Sequence, residues 1–375
     1  MSRNKLVILM VCVIAMVAFI VSGCASPTPT TKAPTTSAPP ATTAPPATTA
    51  PPPAGAIKLQ LESFTPIGTP PNVIFHKIMD GLTAATNGQV TVEYHEAGAL
   101  GAPTDTLNRM QQGVTDYGVL VTGYYPGVFD LFEAFELPIH YPDTQTIQKT
   151  VNIMLKKGYF DKQLSTLVPG VVYGIGPYQM YSTKRVQKVE DFQGMKLRGP
   201  SDMYRRITET LGGVPVTLAG PELYTSMDKK IIDASWANWE MGRAFKLMDI
   251  ATYTLATQLS TSMHIQGFNK NSFAKLPPAG QAYIKDNFEK IVLDAGEIWE
   301  KTHVDVHNLV LNNPKITNDV LSPEEKAKMD AKLSPIIAQW VKDKEAKGLP
   351  AKQVVTDLYA TLESLGVAKP IVLPQ

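Results

Sequence analysis

From Ile57 onward the chain alternates two hydrophobic periods, and at Val189 the alternation begins afresh. In "IKLQLESF", Ile57, Leu59 and Leu61 alternate with Lys58, Gln60 and Glu62, the period-two pattern of a strand with one covered face. "NVIFHKIMDGLTAAT" then sets Ile74, Ile78 and Leu82 at helical spacing and stops near Asn87 and Gly88. "QVTVEYH" returns to strand through Val90, Val92 and Tyr94, a helix follows from about Thr104 to Gln112, and "DYGVLV" is a third strand. The restart reads the same way. Met195 to Arg198 is a strand, and Ser201 caps a helix with Met203, Tyr204, Ile207 and Leu211 on one side. "GGVPVTL" is a strand, "PELYTSMDKK" a helix with Pro221 in its first turn, and "IIDASWANW" a further strand. Repeated strand–helix–strand units define a wound α/β architecture. The 319 residues from Ile57 to Gln375 exceed what one compact core usually holds, so two lobes are expected.

Beyond the second unit the chain reads as helix. The stretch beginning "AGQAYIKDNF" predicts one helix of about 33 residues, roughly 50 Å long, enough to cross both lobes. "SPEE" at 322–325 supplies a Ser cap, a first-turn Pro and a Glu at the third position, and Gly348 and Pro350 close that helix.

The N-terminal part follows other rules. Arg3 and Lys5 precede an apolar run of 16 residues, Leu6 to Val21, shorter than the roughly 20 that a spanning helix requires. It ends in "VSGC", Val21 to Cys24, which resembles the lipobox of bacterial lipoprotein signal peptides. That resemblance implies cleavage before Cys24 and a lipid on Cys24; the alternative is an uncleaved single-pass anchor. Residues 24–56 continue as Pro, Thr, Ala and Ser with "APPATT" recurring, a composition that buries no core and favours extended backbone. It is read as a tether reaching on the order of 90 Å when fully extended.

Cys12 lies in the leader and Cys24 is the proposed anchor, so the globular part contains no disulfide, thiolate metal site or cysteine nucleophile. Net charge moves from +1 to −1 once Arg3 and Lys5 are removed, which disfavours nucleic acid as a partner. No G-x-S-x-G, P-loop, H-E-x-x-H or EF-hand pattern occurs, so neither an enzyme nor a cofactor is expected. "YGIGPYQ" starts like a dinucleotide loop, but Gln179 stands at the third glycine position, and a strand bend is preferred. His303 and His307 lie four apart on the long helix; nothing nearby completes a metal site, and they are read as surface or lobe-facing.

Ordered motifs sharpen the reading. Leu100-Gly101, the "Q-x-G-x-x-D" run from Gln111 to Asp116, and Leu137-Pro138 follow one another as in the first lobe of solute-binding proteins of tripartite ATP-independent periplasmic (TRAP) transporters. "VEDFQGMKLRGP" resembles that family's "D-x-x-G-x-K-[IL]-R" segment, "PELYTSMDKKIIDA" its following helix and strand, and "NKNSFAKLPPAGQAYI" its entry into the C-terminal helices. The resemblance covers about all of 57–375. It implies a two-lobed periplasmic-binding-protein-like α/β fold, with lobe 1 formed by 57–177 and about 264–290, lobe 2 by 178–263, and C-terminal helices over 279–375.

It also implies that Arg198 pairs with a carboxylate of the bound solute. A guanidinium fork matches a carboxylate in two parallel hydrogen bonds, and the helix beginning near Ser201 directs its positive end to the same place. The competing reading is an ion pair internal to the lobe. Members that take sialic acid or C4-dicarboxylates often carry a second arginine about twenty residues earlier; here that position falls at or beside Tyr178, which disfavours a doubly anionic solute. Where the family often has a ligand-holding Asn, this chain has Ala237 followed by Asn238. Trp236 and Trp239 flank that pair and are read either as core residues or as a platform for an apolar or aromatic solute. Phe64, Thr122 and Tyr124 end first-lobe strands and face the cleft if the fold holds. The function implied is an extracytoplasmic, lipid-anchored, monomeric receptor that hands a small organic acid to a TRAP permease. The alternative is the same fold used as a sensor or scavenger.

Overall fold

The computed structural model describes residues 55–367. The leader, Cys24 and nearly all of the tether therefore lie outside the described residues. Strand β1 (Ile57–Glu62) is followed by helix α1 (Pro70–Ala85), whose first turn contains two prolines that lose no intrahelical bond there. Then come β2 (Val90–His95), the short α2 (Thr106–Gln111) and β3 (Tyr117–Val121). Next are α3 (Thr144–Leu155), β4 (Val168–Gly174) and β5 (Gln179–Ser182). The second unit contains β6 (Lys196–Gly199), α4 (Asp202–Leu211), β7 (Val214–Thr217), α5 (Leu223–Asp228), β8 (Ala234–Ala237) and α6 (Trp239–Ala244). The chain continues through β9 (Tyr253–Leu255), β10 (Met263–Phe268), α7 (Pro278–Leu311), β11 (Thr317–Asp319), α8 (Pro323–Glu345) and α9 (Ala351–Ser364).

Two sheets result. The first runs β2-β1-β3-β10-β4, with β1 parallel to β2 and β3, and β10 antiparallel to its neighbours. The second runs β11-β9-β5-β8-β6-β7, with β6 parallel to β7 and β8. Helix α7 carries the chain from β10 in the first sheet to β11 in the second; before that, the chain passes between the sheets at 175–178 and returns at 256–262. These two crossings bond to each other: Tyr178 N–H donates to the Ser260 carbonyl at 2.7 Å, Ile175 N–H to Ser262 at 3.1 Å and Leu259 N–H to Tyr178 at 3.2 Å. Short connecting segments of this kind are where the backbone rotation of a domain closure can be absorbed.

Local chemistry sets the elements that matter for the cleft. Ser201 caps α4 by accepting Tyr204 N–H at 3.4 Å, and Gly212 ends it in the left-handed conformation at φ 93°. Helix α7 has 34 residues and packs on α1, α3 and β4 on one side and on α6 on the other. Ser322 caps α8 as the "SPEE" run predicts, with Pro323 in the first turn. Three expectations needed correction. The helix read over 221–230 is a 3-10 turn at Gly220–Glu222 followed by the short α5, because Glu222 turns back to accept Ala219 N–H at 2.9 Å. The helix read from Thr104 begins as a 3-10 turn, Pro103–Asp105. Trp239 lies not on a strand but at the start of α6, because Asn238 caps that helix by accepting Met241 N–H at 2.9 Å.

Candidate functional site

Arg198 sits near the carboxyl end of β6 and is fully buried. Backbone carbonyls of two neighbouring segments fix its guanidinium: Nε–H donates to Leu218 at 2.8 Å and an Nη1–H to Trp236 at 3.2 Å. An Nη2–H reaches the Tyr124 hydroxyl at 3.5 Å, and that hydroxyl also accepts Gly220 N–H at 3.1 Å. Of the five N–H donors a guanidinium offers, these bonds use three and leave two. Among the described residues no carboxylate lies within ion-pair distance of Arg198, so the lobe-internal ion pair does not form. A buried, uncompensated cation of this kind is costly unless an anion completes it.

The space beside it is a cavity between the two sheets, with about 450 Å³ not filled by atoms, its open mouth included. Phe64, Val121 and Tyr124 approach from the first sheet, Ile175 and Tyr178 from the crossing, and Arg198, Pro200, Met241 and Phe245 from the second lobe. The Phe64 ring lies 6.4 Å from that of Tyr124 and 6.3 Å from that of His264. Tyr178 is fully buried, its hydroxyl donating to the Met241 sulfur at 3.4 Å and its ring 4.9 Å from Tyr204. Burial holds the Tyr178 phenol well above its ordinary range, so it stays neutral and adds no second anion.

Arg198, Tyr178, Tyr124 and Phe64 thus meet in one cavity, whereas four other residues singled out from the sequence do not line it. Trp236 stacks on Phe192 at 5.9 Å in the core of the second lobe and donates its indole N–H to Thr208 at 3.2 Å. Trp239 packs flat on His307 of α7 at 4.7 Å. Thr122 donates to the Met263 carbonyl at 3.2 Å. Asn238 caps α6 and donates to the Ile175 carbonyl, tying the second lobe to the crossing segment. Among the described residues no group of three metal-ligating side chains converges; the His303 and His307 rings lie 6.3 Å apart on α7.

Sequence reasoning missed His264, Glu240 and Trp299, all of which line the cavity. His264 is buried, and burial pushes its imidazole down to about 3, so it is neutral at physiological pH. Glu240 is buried, with its pKa raised by burial and lowered in part by Arg243. Trp299 comes from the middle of α7 and makes that helix part of the cavity wall. An aromatic at helical spacing carries no signal that separates a wall from a core.

Contacts across the mouth hold the lobes together. Ser201 Oγ–H donates to the Glu136 carboxylate, and Tyr124 reaches over to Arg198 and Gly220. Gly123 lies against the second lobe: a Cβ there would sit 2.6 Å from the Ser201 Cβ and 3.3 Å from the Pro200 carbonyl oxygen. Gly123→Ala is therefore expected to wedge the lobes apart and weaken ligand binding about tenfold, in line with the cost of overpacking. Small-angle scattering of the liganded variant checks this: it should stay more extended than the liganded parent.

Two sheets joined by a paired crossing, with a buried cation at the cleft between them, define a two-lobed solute-binding protein. Residues 69–344, nearly three quarters of the chain, match the model of the bacterial extracellular solute-binding protein family 7, DctP. The chain belongs to this family, the solute-binding proteins of TRAP transporters. It is 20% identical over 261 residues to a solute-binding protein of Chromohalobacter salexigens, an alignment covering 69% of this chain and 77% of that one. Among solved structures it resembles a marine-metagenome TRAP solute-binding protein specific for aromatic acid ligands, from an unidentified microbe, in complex with metahydroxyphenylacetate. That match has a TM-score of 0.77 and 26% identity, covering 82% of this chain and 99% of that one. It shares its fold with the Rhodoferax ferrireducens TRAP protein that copurified with benzoate, at TM-score 0.77 and 20% identity, covering 83% and 99%.

Proposed function

We propose that this chain is an extracytoplasmic receptor that captures a small organic acid with one carboxylate and an apolar or aromatic body, then hands it to an ion-gradient-driven TRAP permease. The observation that carries the reading is Arg198: fully buried, held by backbone carbonyls, unpaired with any carboxylate among the described residues, and lining the interlobe cavity. A ligand carboxylate placed there completes the charge and takes the two remaining donors. Phe64, Tyr124, Tyr178 and Phe245 give the rest of the cavity an aromatic lining suited to a ring. The 26% identical relative specific for aromatic acid ligands supports the same class. Tyr178, at or beside the position where dianion-binding members often carry arginine, favours a monocarboxylate over a dicarboxylate. Capture needs no chemical step: closure excludes water, and the ligand's preference for the closed form supplies the driving force. A lipid on Cys24 and the proline-rich segment hold this receptor at the membrane.

The test is a thermal-shift screen of the purified protein against aromatic monocarboxylates, aliphatic monocarboxylates and dicarboxylates. A true ligand at about 100 times its dissociation constant adds roughly 2.7 kcal/mol of stability. The expected outcome is a clear shift with aromatic monocarboxylates. A response confined to dicarboxylates, or to neutral solutes, would sink the reading.

A further inference from the structure

The cavity contains a second set of polar atoms that the carboxylate does not use. Glu240 is 2% exposed, and its carboxylate oxygen Oε1 has no hydrogen-bond partner. Arg243 brings Nη2 to within 2.7 Å of Oε2 as an ion pair, with its own side chain partly exposed. The His264 Nδ1 and the Trp299 indole N–H, both on residues of the same cavity wall, are likewise buried and unpartnered. Buried polar atoms without partners are rare and costly, and three such residues around one cavity point to something that completes them.

The set is chemically informative. Glu240 can only accept while ionised, and Trp299 can only donate; a neutral imidazole does either, according to its tautomer. A second ligand carboxylate would meet Glu240 as a like charge. An ammonium would satisfy Glu240 but leave Trp299 without an acceptor. A hydroxyl both donates and accepts. Resting on the carboxylate reading of Arg198, we propose that the bound acid also carries a hydroxyl, and that Glu240, His264 and Trp299 form the subsite that reads it. Specificity then comes from two poles: Arg198 recognises any small carboxylate, and the second pole selects among them by penalising an acid that leaves its groups unpaired.

Matched ligand pairs test this in the full chain by calorimetry: phenylacetate against 3-hydroxyphenylacetate, benzoate against 3-hydroxybenzoate, with 3-(aminomethyl)benzoate as the cationic probe. The native protein is expected to bind at least one hydroxylated acid about tenfold or more tightly than its parent, the scale of one hydrogen bond to a charged group. Glu240→Gln and Trp299→Phe are each expected to shrink that ratio severalfold. Because the ratio in the native protein is itself diagnostic, a variant that folds poorly does not rescue the idea. Equal affinities within every pair, or a preference for the aminomethyl acid, would overturn the hydroxyl subsite and leave the carboxylate reading standing. Failure of every acid to bind would bring down the Arg198 reading and the subsite with it.

Discussion

Arg198→Gln is expected to weaken binding of the cognate acid by at least about a hundredfold, the usual consequence of truncating one partner of a buried charge pair. Glutamine keeps part of the side chain's length and hydrogen-bonding capacity, but it offers one amide in place of a charged fork. Arg198→Lys separates charge from geometry. It retains the cation yet cannot hold both the Leu218 and Trp236 carbonyls and still present two parallel donors, so an intermediate loss of about tenfold is expected. The two variants also distinguish ligand recognition from folding. In the native protein the guanidinium is desolvated without a counter-ion, so its charge costs the ligand-free fold, offset by its bonds to the Leu218 and Trp236 carbonyls, and contributes favourably only in the complex. Calorimetry should therefore show binding lost in Arg198→Gln while the unliganded melting temperature moves by only a few degrees. A variant that retained native affinity would place the carboxylate elsewhere.

Arg198 stood out in the sequence as a cation at a strand end, with no acid in the four positions before it or the three after, and a capped helix just beyond. The long α7 and the capped α8 were legible for a related reason, since period and cap chemistry are local. The hinge was not. Strands β4, β5, β9 and β10 are buried along most of their length, so they lack the alternation that marks a half-exposed strand. Strand β11 is three residues long and acquires its identity only by pairing with β9. Trp236 and Trp239 show the same limit at the site. Their spacing is that of opposite strand faces or of a bend; the Asn238 cap starts a helix between them, and each ring finds a separate partner in Phe192 or His307. Glu240, His264 and Trp299 come from three elements far apart in sequence, and only closure of the fold makes them neighbours of one cavity.

Glu136 gives the second large effect, on pH. Its carboxyl is fully buried at the lobe junction, where Oε2 accepts the Ser201 hydroxyl and Oε1 has no partner. Burial raises its pKa to about 8, with nearby Glu133 adding to the rise; the Ser201 bond, the Met263 backbone and Lys344 oppose it. Lys344 is itself shared with Asp130 and Glu133, at 3.3 and 2.8 Å, which limits what it offers Glu136. The folded protein thus holds the neutral acid, whereas the unfolded chain ionises near the ordinary 4.5. For a carboxyl whose folded pKa is raised, the stabilising contribution is full below about 4.5 and is lost progressively as pH rises through about 8. At about 1.4 kcal/mol per pH unit across that window, the loss is at most about 5 kcal/mol. Glu136→Gln keeps a neutral acceptor for Ser201 and cannot ionise, so the variant should gain on the native protein steadily from pH 5 to pH 8. His264 and His303 act in the opposite sense. Burial depresses them to about 3 and about 4, so their contribution is present above 6.5 and lost as pH falls. Both proteins share these histidines, and their effect cancels in the difference between the two melting profiles. Denaturant unfolding of the pair at pH 5, 6.5 and 8 measures that difference directly. Curves that stay parallel across the range would mean that Glu136 is already ionised in the closed protein, and that the Ser201 contact holds a carboxylate.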